Sequence, residues 1–226
     1  MGYVNDFTKI PLDQFKNKLK KRVLIPSQMI LKEGIDSIFL IFEQMNIQNI
    51  GQLFDLLKQK DKFKELSQND PLSENYLTVL FRHIKGKQPK PRKLEDFTWV
   101  DDEVIGKLQN EGLKNTKQLY DFVLKQTNIT DVIHKIGLHK DEFNKLLKQT
   151  DLTRIQWVSP TFAHVLYEAG YDTVKKVQAA NRDDLYHKII KLNKEKELYK
   201  GKIGLNDMQI CIEAAQDIEQ EITYQF

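Results

Sequence analysis

Apolar residues in this chain recur at helical spacing in short runs, and the segments between the runs carry proline or helix-capping residues. In IPLDQFKNKLKKRVLIP, residues 10–26, Leu12, Phe15, Leu19 and Val23 share one helical face, and Lys16, Lys18, Lys20, Lys21 and Arg22 surround it. The densest run, SIFLIF at 37–42, is far shorter than the ~18 apolar residues of a membrane span and predicts a buried helical turn. Alternating Val, Ile and Thr runs bounded by Asn-Gly turns are missing, so the pattern predicts an all-α fold. Prolines 11, 26, 71, 89, 91 and 160 fall between the periodic segments, as expected when an interior proline costs a helix ~3 kcal/mol. Asn49 with Gln52 and Asn115 with Gln118 have capping-box spacing, and Ser73, Asn206 and the Ser159-Pro160 pair are further N-cap candidates.

The helical runs repeat. LEDFTWVDDEVIGKLQNEGLKNTKQL at 94–119 aligns without gaps on LTRIQWVSPTFAHVLYEAGYDTVKKV at 152–177, a shift of 58 residues that pairs Trp99 with Trp157 and Gly112 with Gly170. KIGLHKDEF at 135–143 matches KIGLNDMQI at 202–210 at a shift of 67, which places an insertion around NKEKELYKG, 193–201. A fainter first copy lies 66 residues upstream, with Phe42 under Leu108, Asn49 under Asn115 and PLSENYLTVL under the GLHKDEFNKL segment. The expected organisation is an N-terminal amphipathic helix over 1–25 and three units over 26–88, 89–150 and 151–226. IKGKQPKPRKLEDF at 84–97 predicts an extended basic linker between the first two units, whereas KQTDLTRI, without proline or glycine, predicts a rigid junction between the last two.

RIQWVSPTFAHVL resembles the helix-hairpin-helix motif, with Ile155, Val158, Pro160, Ala163 and Leu166 at its apolar or proline positions. That resemblance implies a first helix, a hairpin of glycine-hydrophobic-glycine type, and a second helix whose N-terminal amides face a phosphate. Unsatisfied amides and the positive dipole end make such a helix start an anion site, and glycines let a backbone approach it. Here the glycine positions hold Trp157 and Ser159 in the third unit, Trp99 and Asp101 in the second, and Glu33 and Ile35 in the first. Ser159 and Asp101 are N-cap residues whose oxygens compete for the same amides, and Asp101, Asp102 and Glu103 repel a phosphate. Trp99, Val100, Asp101, Trp157, Val158, Ser159 and Pro160 are therefore expected to serve the hairpins structurally. The three-unit layout, the twin WV hairpins, AGYDTV at 169–174 and KGKIGLNDMQICIEAAQDI at 200–218 resemble the bacterial domain-of-unknown-function family numbered 4332. The resemblance implies three tandem, degenerate helix-hairpin-helix-like units and transfers no catalytic residue.

Composition changes this picture little. Thirty-five Lys and Arg against 32 Asp and Glu leave a net charge of +3, too small to indicate nucleic acid from total charge alone. Local clusters carry that reading: Lys85, Lys87, Lys90, Arg92 and Lys93 around the linker, with Ser159 at the third hairpin, are the nucleic-acid candidates, against a simply solvated linker. The basic N-terminal helix can lie on an anionic surface, but is expected to pack on its own domain. Trp99 and Trp157 can stack on bases or anchor a partner; the expectation is that each plugs its hairpin onto a neighbouring helix.

The N-terminus lacks an apolar leader and Cys211 stands alone, which together favour the cytoplasm. Cys211, on an apolar face, is expected to be buried and inert. His83, His134, His139, His164 and His187 lack zinc-ligand spacing and are expected at surfaces or caps. KGKIG at 200–204 is not a nucleotide loop, neither GxSxG nor GxGxxG occurs, and the Asp183-Asp184 pair sits where nothing would raise a pKa. Neither metal nor cofactor is expected. The expected function is a non-enzymatic cytoplasmic scaffold or adaptor contacting a protein partner, and the alternative is weak, sequence-independent DNA or RNA binding.

Overall fold

Helical periodicity governs the whole fold. The computed structural model describes residues 2–224, and every regular element among them is helical, apart from two isolated bridges. The chain forms two compact bodies: Asp6–Gln88, and Pro89 onward together with the N-terminal residues up to Asn5.

The first body contains α1 (Leu12–Lys21), α2 (Ile35–Gln44), α3 (Ile50–Lys58), α4 (Lys60–Leu66) and α5 (Glu74–Gly86). Leu12, Phe15 and Leu19, the apolar stripe of α1, are buried in one core with Phe39, Phe42, Leu53, Leu77 and Leu80. The basic face of α1 meets acids of α2, with Lys16 Nζ 2.9 Å from Glu43 and Lys20 Nζ 2.5 Å from Asp36. His83 is buried in this core, its Nδ1 3.2 Å from Gln28 Oε1, where a surface or capping role was expected. Tyr76 and Leu80, seven and three residues before it on the same helical face, are buried and carry it inside.

The second body contains α6 (Asp102–Asn110), α7 (Thr116–Leu124), α8 (Ile129–Ile136), α9 (Lys140–Leu152), α10 (Pro160–Glu168), α11 (Val174–Gln178), α12 (Arg182–Lys196) and α13 (Leu205–Ala215). Two cores lie within it, one around Leu108, Leu119, Phe143 and Leu146, the other around Leu166, Val174, Leu185 and Ile212. Helix α9 packs against both α7 and α10 and so joins the two cores. Its last turn and the junction beyond, Gln149 to Ile155, are buried throughout.

Element bounds follow the sequence shifts. Helices α6 and α10 are nine residues each and start 58 apart; α5 and α9 are thirteen residues each and start 66 apart. Gly112 and Gly170 end α6 and α10 at φ of 80° and 87°, left-handed values that glycine reaches without a Cβ clash. Asn49 and Asn115 cap α3 and α7 by accepting from the Gln52 and Gln118 amides, both at 3.0 Å. The glutamine side chains then accept from the residue before the cap, Gln48 and Lys114, a shifted form of the expected box. Asn206 is not a cap: α13 begins after Gly204, whose amide donates to Asp207 at 2.8 Å.

The expected extended linker is only partly extended. Lys85 and Gly86 belong to α5. Beyond it, Thr116 N donates to Arg92 O at 2.8 Å, Arg92 N donates to Thr116 Oγ1 at 2.9 Å, and Lys93 bridges Asn115. Backbone amides near a helix start need acceptors, and residues 92–94 supply and take such bonds with the 114–116 segment.

Candidate functional site at the tryptophan turns

The segments before α6 and α10 close with the same hydrogen bond. Val100 N donates to Phe97 O at 2.9 Å and Val158 N to Ile155 O at 3.0 Å, so each tryptophan is the third residue of a four-residue turn. Phe97, Ile155 and Val158 are buried and Val100 half-buried, which fixes each turn on the core below it. The following helix is capped from within: Asp101 accepts from the Glu103 amide at 2.8 Å, and Ser159 accepts from the Phe162 amide at 3.2 Å. Pro160, buried at the first helical position, brings no N–H.

The two tryptophans differ. The Trp99 ring stacks on the His164 imidazole of α10, centroids 4.2 Å apart and planes 15° apart, and meets Phe97 edge-on. Its Nε1 and Nδ1 of His164 are both buried without a hydrogen-bond partner among the described residues. Burial holds the imidazole below the usual histidine range; Glu168 opposes that shift, and Lys145 and Lys196 add to it. Trp157, expected to plug its turn in the same way, instead remains 53% exposed. His164 of α10 covers Trp99, and among the described residues no such ring lies on Trp157. Trp157 also has φ of 68°, the left-handed region in which a side chain clashes with the backbone.

A buried polar clasp positions the Trp157 turn, and nothing in the sequence reading anticipated it. Arg154, which follows α9, donates from Nε to Tyr3 O at 3.2 Å, from Nη1 to Asp151 Oδ1 at 2.8 Å and to the Tyr120 hydroxyl at 2.5 Å, and from Nη2 to Glu219 O at 3.1 Å. The guanidinium lies 4.4 Å from the Tyr120 ring centroid. The second Asp151 oxygen accepts from the Tyr224 hydroxyl. Burial pushes the Asp151 carboxyl above the usual range, and Arg154 and Tyr224 act against that shift. Tyr3 is itself buried, with its amide donating to Asp121 at 2.8 Å and its hydroxyl accepting from Thr116 at 2.8 Å. The clasp thus gathers the N-terminal residues, α7, the end of α9 and the C-terminal segment just before Trp157. The one signal in the sequence was the Asp151–Arg154 spacing of three, which places both side chains on one face.

The basic candidates differ in exposure and fall in both bodies. Lys85 is exposed, but Lys87 is buried at 6%, with its ammonium over the Phe15 ring at 5.8 Å. Lys90 and Lys93 are exposed and Arg92 is half-buried. Lys85 and Lys87 belong to the first body, and Lys90, Arg92 and Lys93 to the second. Cys211 is 6% exposed, and burial pushes its thiol up to about 12. Among the described residues no group of three or more His, Cys, Asp or Glu is placed to hold a metal ion, and no helix is long and apolar enough to cross a membrane.

Comparison with curated proteins and with solved structures finds no significant match. Residues 101–218, more than half of the chain and all of both tryptophan-turn helices, match the model described as Domain of unknown function (DUF4332), and the chain belongs to that family.

Proposed function

We propose that this protein is a non-enzymatic, cytoplasmic scaffold of degenerate helix-hairpin-helix units that presents a surface to a protein partner. The observation that carries this reading is the pair of tryptophan turns. Where a phosphate-binding hairpin needs bare glycines and open amides, these turns hold Trp99 and Trp157, and the amides of Glu103 and Phe162 are taken by Asp101 and Ser159. The packing positions of the motif, Ile155, Val158, Ala163 and Leu166, remain buried. A framework that keeps its packing role and fills its anion site is suited to protein contacts.

Sequence-independent nucleic-acid binding through Lys85, Lys90, Arg92 and Lys93 is the competing reading, and a titration separates the two. Labelled single- and double-stranded DNA and RNA are titrated with the full chain across a salt series, with fluorescence anisotropy as readout. The scaffold reading expects no binding even at low salt. Tight binding that weakens steeply with salt, and that Lys90→Ala, Arg92→Ala and Lys93→Ala relieve, would overturn it.

A further inference from the structure

Two residues of the second body are intrinsically unfavourable where they stand. Trp157 holds a left-handed φ of 68° with its ring 53% exposed, although glycine would fit that backbone without strain. Gly106 is the fifth residue of the nine-residue α6, an interior position where alanine supports a helix better. Nothing lies within 4 Å of a Cβ built there, so no close approach inside the protein requires the glycine.

The 58-residue register relates both residues to one contact. Trp157 stands where Trp99 stands one repeat earlier, and Gly106 stands where His164 stands one repeat later. Trp99 and His164 are the pair that stack at 4.2 Å to join the successive repeats. The second body therefore carries both halves of one more such contact: a tryptophan turn with no helix over it, and a half-exposed helix face at Gly106 with no ring on it.

We propose that a second copy of this chain covers Trp157 with the face of its own α6 at Gly106, continuing between chains the interface that Trp99 and α10 make within one. The glycine lets the indole lie directly on the helix backbone, which a side chain such as His164 prevents at the internal contact. The two surfaces are different patches of the molecule, so the contact is head-to-tail and propagates unless its rotation closes a ring. This assignment rests on the scaffold reading and names the partner as the chain itself.

Sedimentation velocity of the full chain, from micromolar to near-millimolar concentration, tests it. The weight-average sedimentation coefficient is expected to rise continuously with concentration. Trp157→Ala and Gly106→Leu, each verified as folded by near-ultraviolet circular dichroism, are each expected to remain monomeric. Trp157→Gly and Gly106→Lys serve the same purpose if either first variant fails to fold. Mixing the two classes of variant is decisive: each retains the half that the other lacks, so an equimolar mixture is expected to form a dimer and stop there. A wild-type chain that stays monomeric throughout, association that Trp157→Ala leaves intact, or variants that do not complement each other would overturn the proposal. A monomeric chain that also ignores nucleic acid removes only the second-copy contact, whereas salt-sensitive nucleic-acid binding removes the scaffold reading itself.

Discussion

Replacing Arg154 by methionine isolates the clasp that holds the Trp157 turn. Methionine keeps most of the side-chain stem and volume, so the loss is chiefly the charge and the four donated hydrogen bonds, to Tyr3 O, Asp151, Tyr120 and Glu219 O. Asp151, 1% exposed, is left with the Tyr224 hydroxyl as its remaining partner. Removing one member of a buried ion pair costs about 3–5 kcal/mol, a large share of the roughly 5–15 kcal/mol that stabilises a typical domain. For a body of this size that corresponds to a Tm lower by roughly 8–16 °C. Urea unfolding followed by circular dichroism measures it, and any separate transition of the Asp6–Gln88 body is an internal control that is expected not to move. The partner variant Asp151→Asn should also destabilise, but the double variant should lose less than the two single losses together, by about 2 kcal/mol. A loss below about 1 kcal/mol for Arg154→Met, or strict additivity in the cycle, would show that the pair does not hold the turn.

Other perturbations address the turns and the buried groups directly. Trp157→Gly should be more stable than Trp157→Ala by about 1 kcal/mol, because only glycine relieves a φ of 68°; equal stabilities on denaturation would contradict the strained turn. The depressed pKa of His164 means that the folded protein favours the neutral imidazole. Its contribution is complete above the ordinary histidine pKa of about 6.5 and is lost as pH falls from there through the lower folded value. His164→Phe keeps a ring under Trp99 without a titrating group and should flatten that acidic limb; an unchanged limb would place its origin elsewhere. Cys211, with its thiol pushed up to about 12, should resist a thiol reagent in native buffer and react at once in denaturant. Rapid native labelling would show that the α13 face opens.

Periodicity and capping chemistry were enough to anticipate the all-helical fold and the register of α6 on α10, because both are local: four residues of spacing or one Asn, Ser or Asp decide them. The capping of α13 was missed because Asp207 reaches back to a glycine amide, leaving Asn206, the better-looking residue, inside the helix. The charge of Lys87 points to a solvated side chain, yet it is buried with its ammonium over the Phe15 ring, since a lysine can bury its methylenes and offer its ammonium to a ring face. The clasp was invisible for a different reason. Tyr3 and Arg154 are 151 residues apart, and the local Asp151–Arg154 spacing does not reveal a burial that depends on partners from four segments. Trp157 shows the limit most clearly: it shares the Trp-Val pair and the register of Trp99, yet Trp99 lies under His164 while Trp157 is exposed, a difference set by tertiary contacts that the local pattern does not carry.

That contrast between a covered and an uncovered tryptophan is measurable with the two indoles separated. Trp99→Phe, which removes an N–H that has no acceptor among the described residues, leaves Trp157 as the sole indole, and Trp157→Phe leaves Trp99. Acrylamide quenching of the two variants at low concentration should give efficient quenching and red-shifted emission for Trp157, and several-fold weaker quenching with blue-shifted emission for Trp99. Raising the concentration of the Trp99→Phe variant should then protect Trp157 as a second chain covers it. Equal quenching of the two indoles at low concentration would contradict the covered and uncovered turns, and a Trp157 that stays fully quenched at the highest concentration would contradict the second chain.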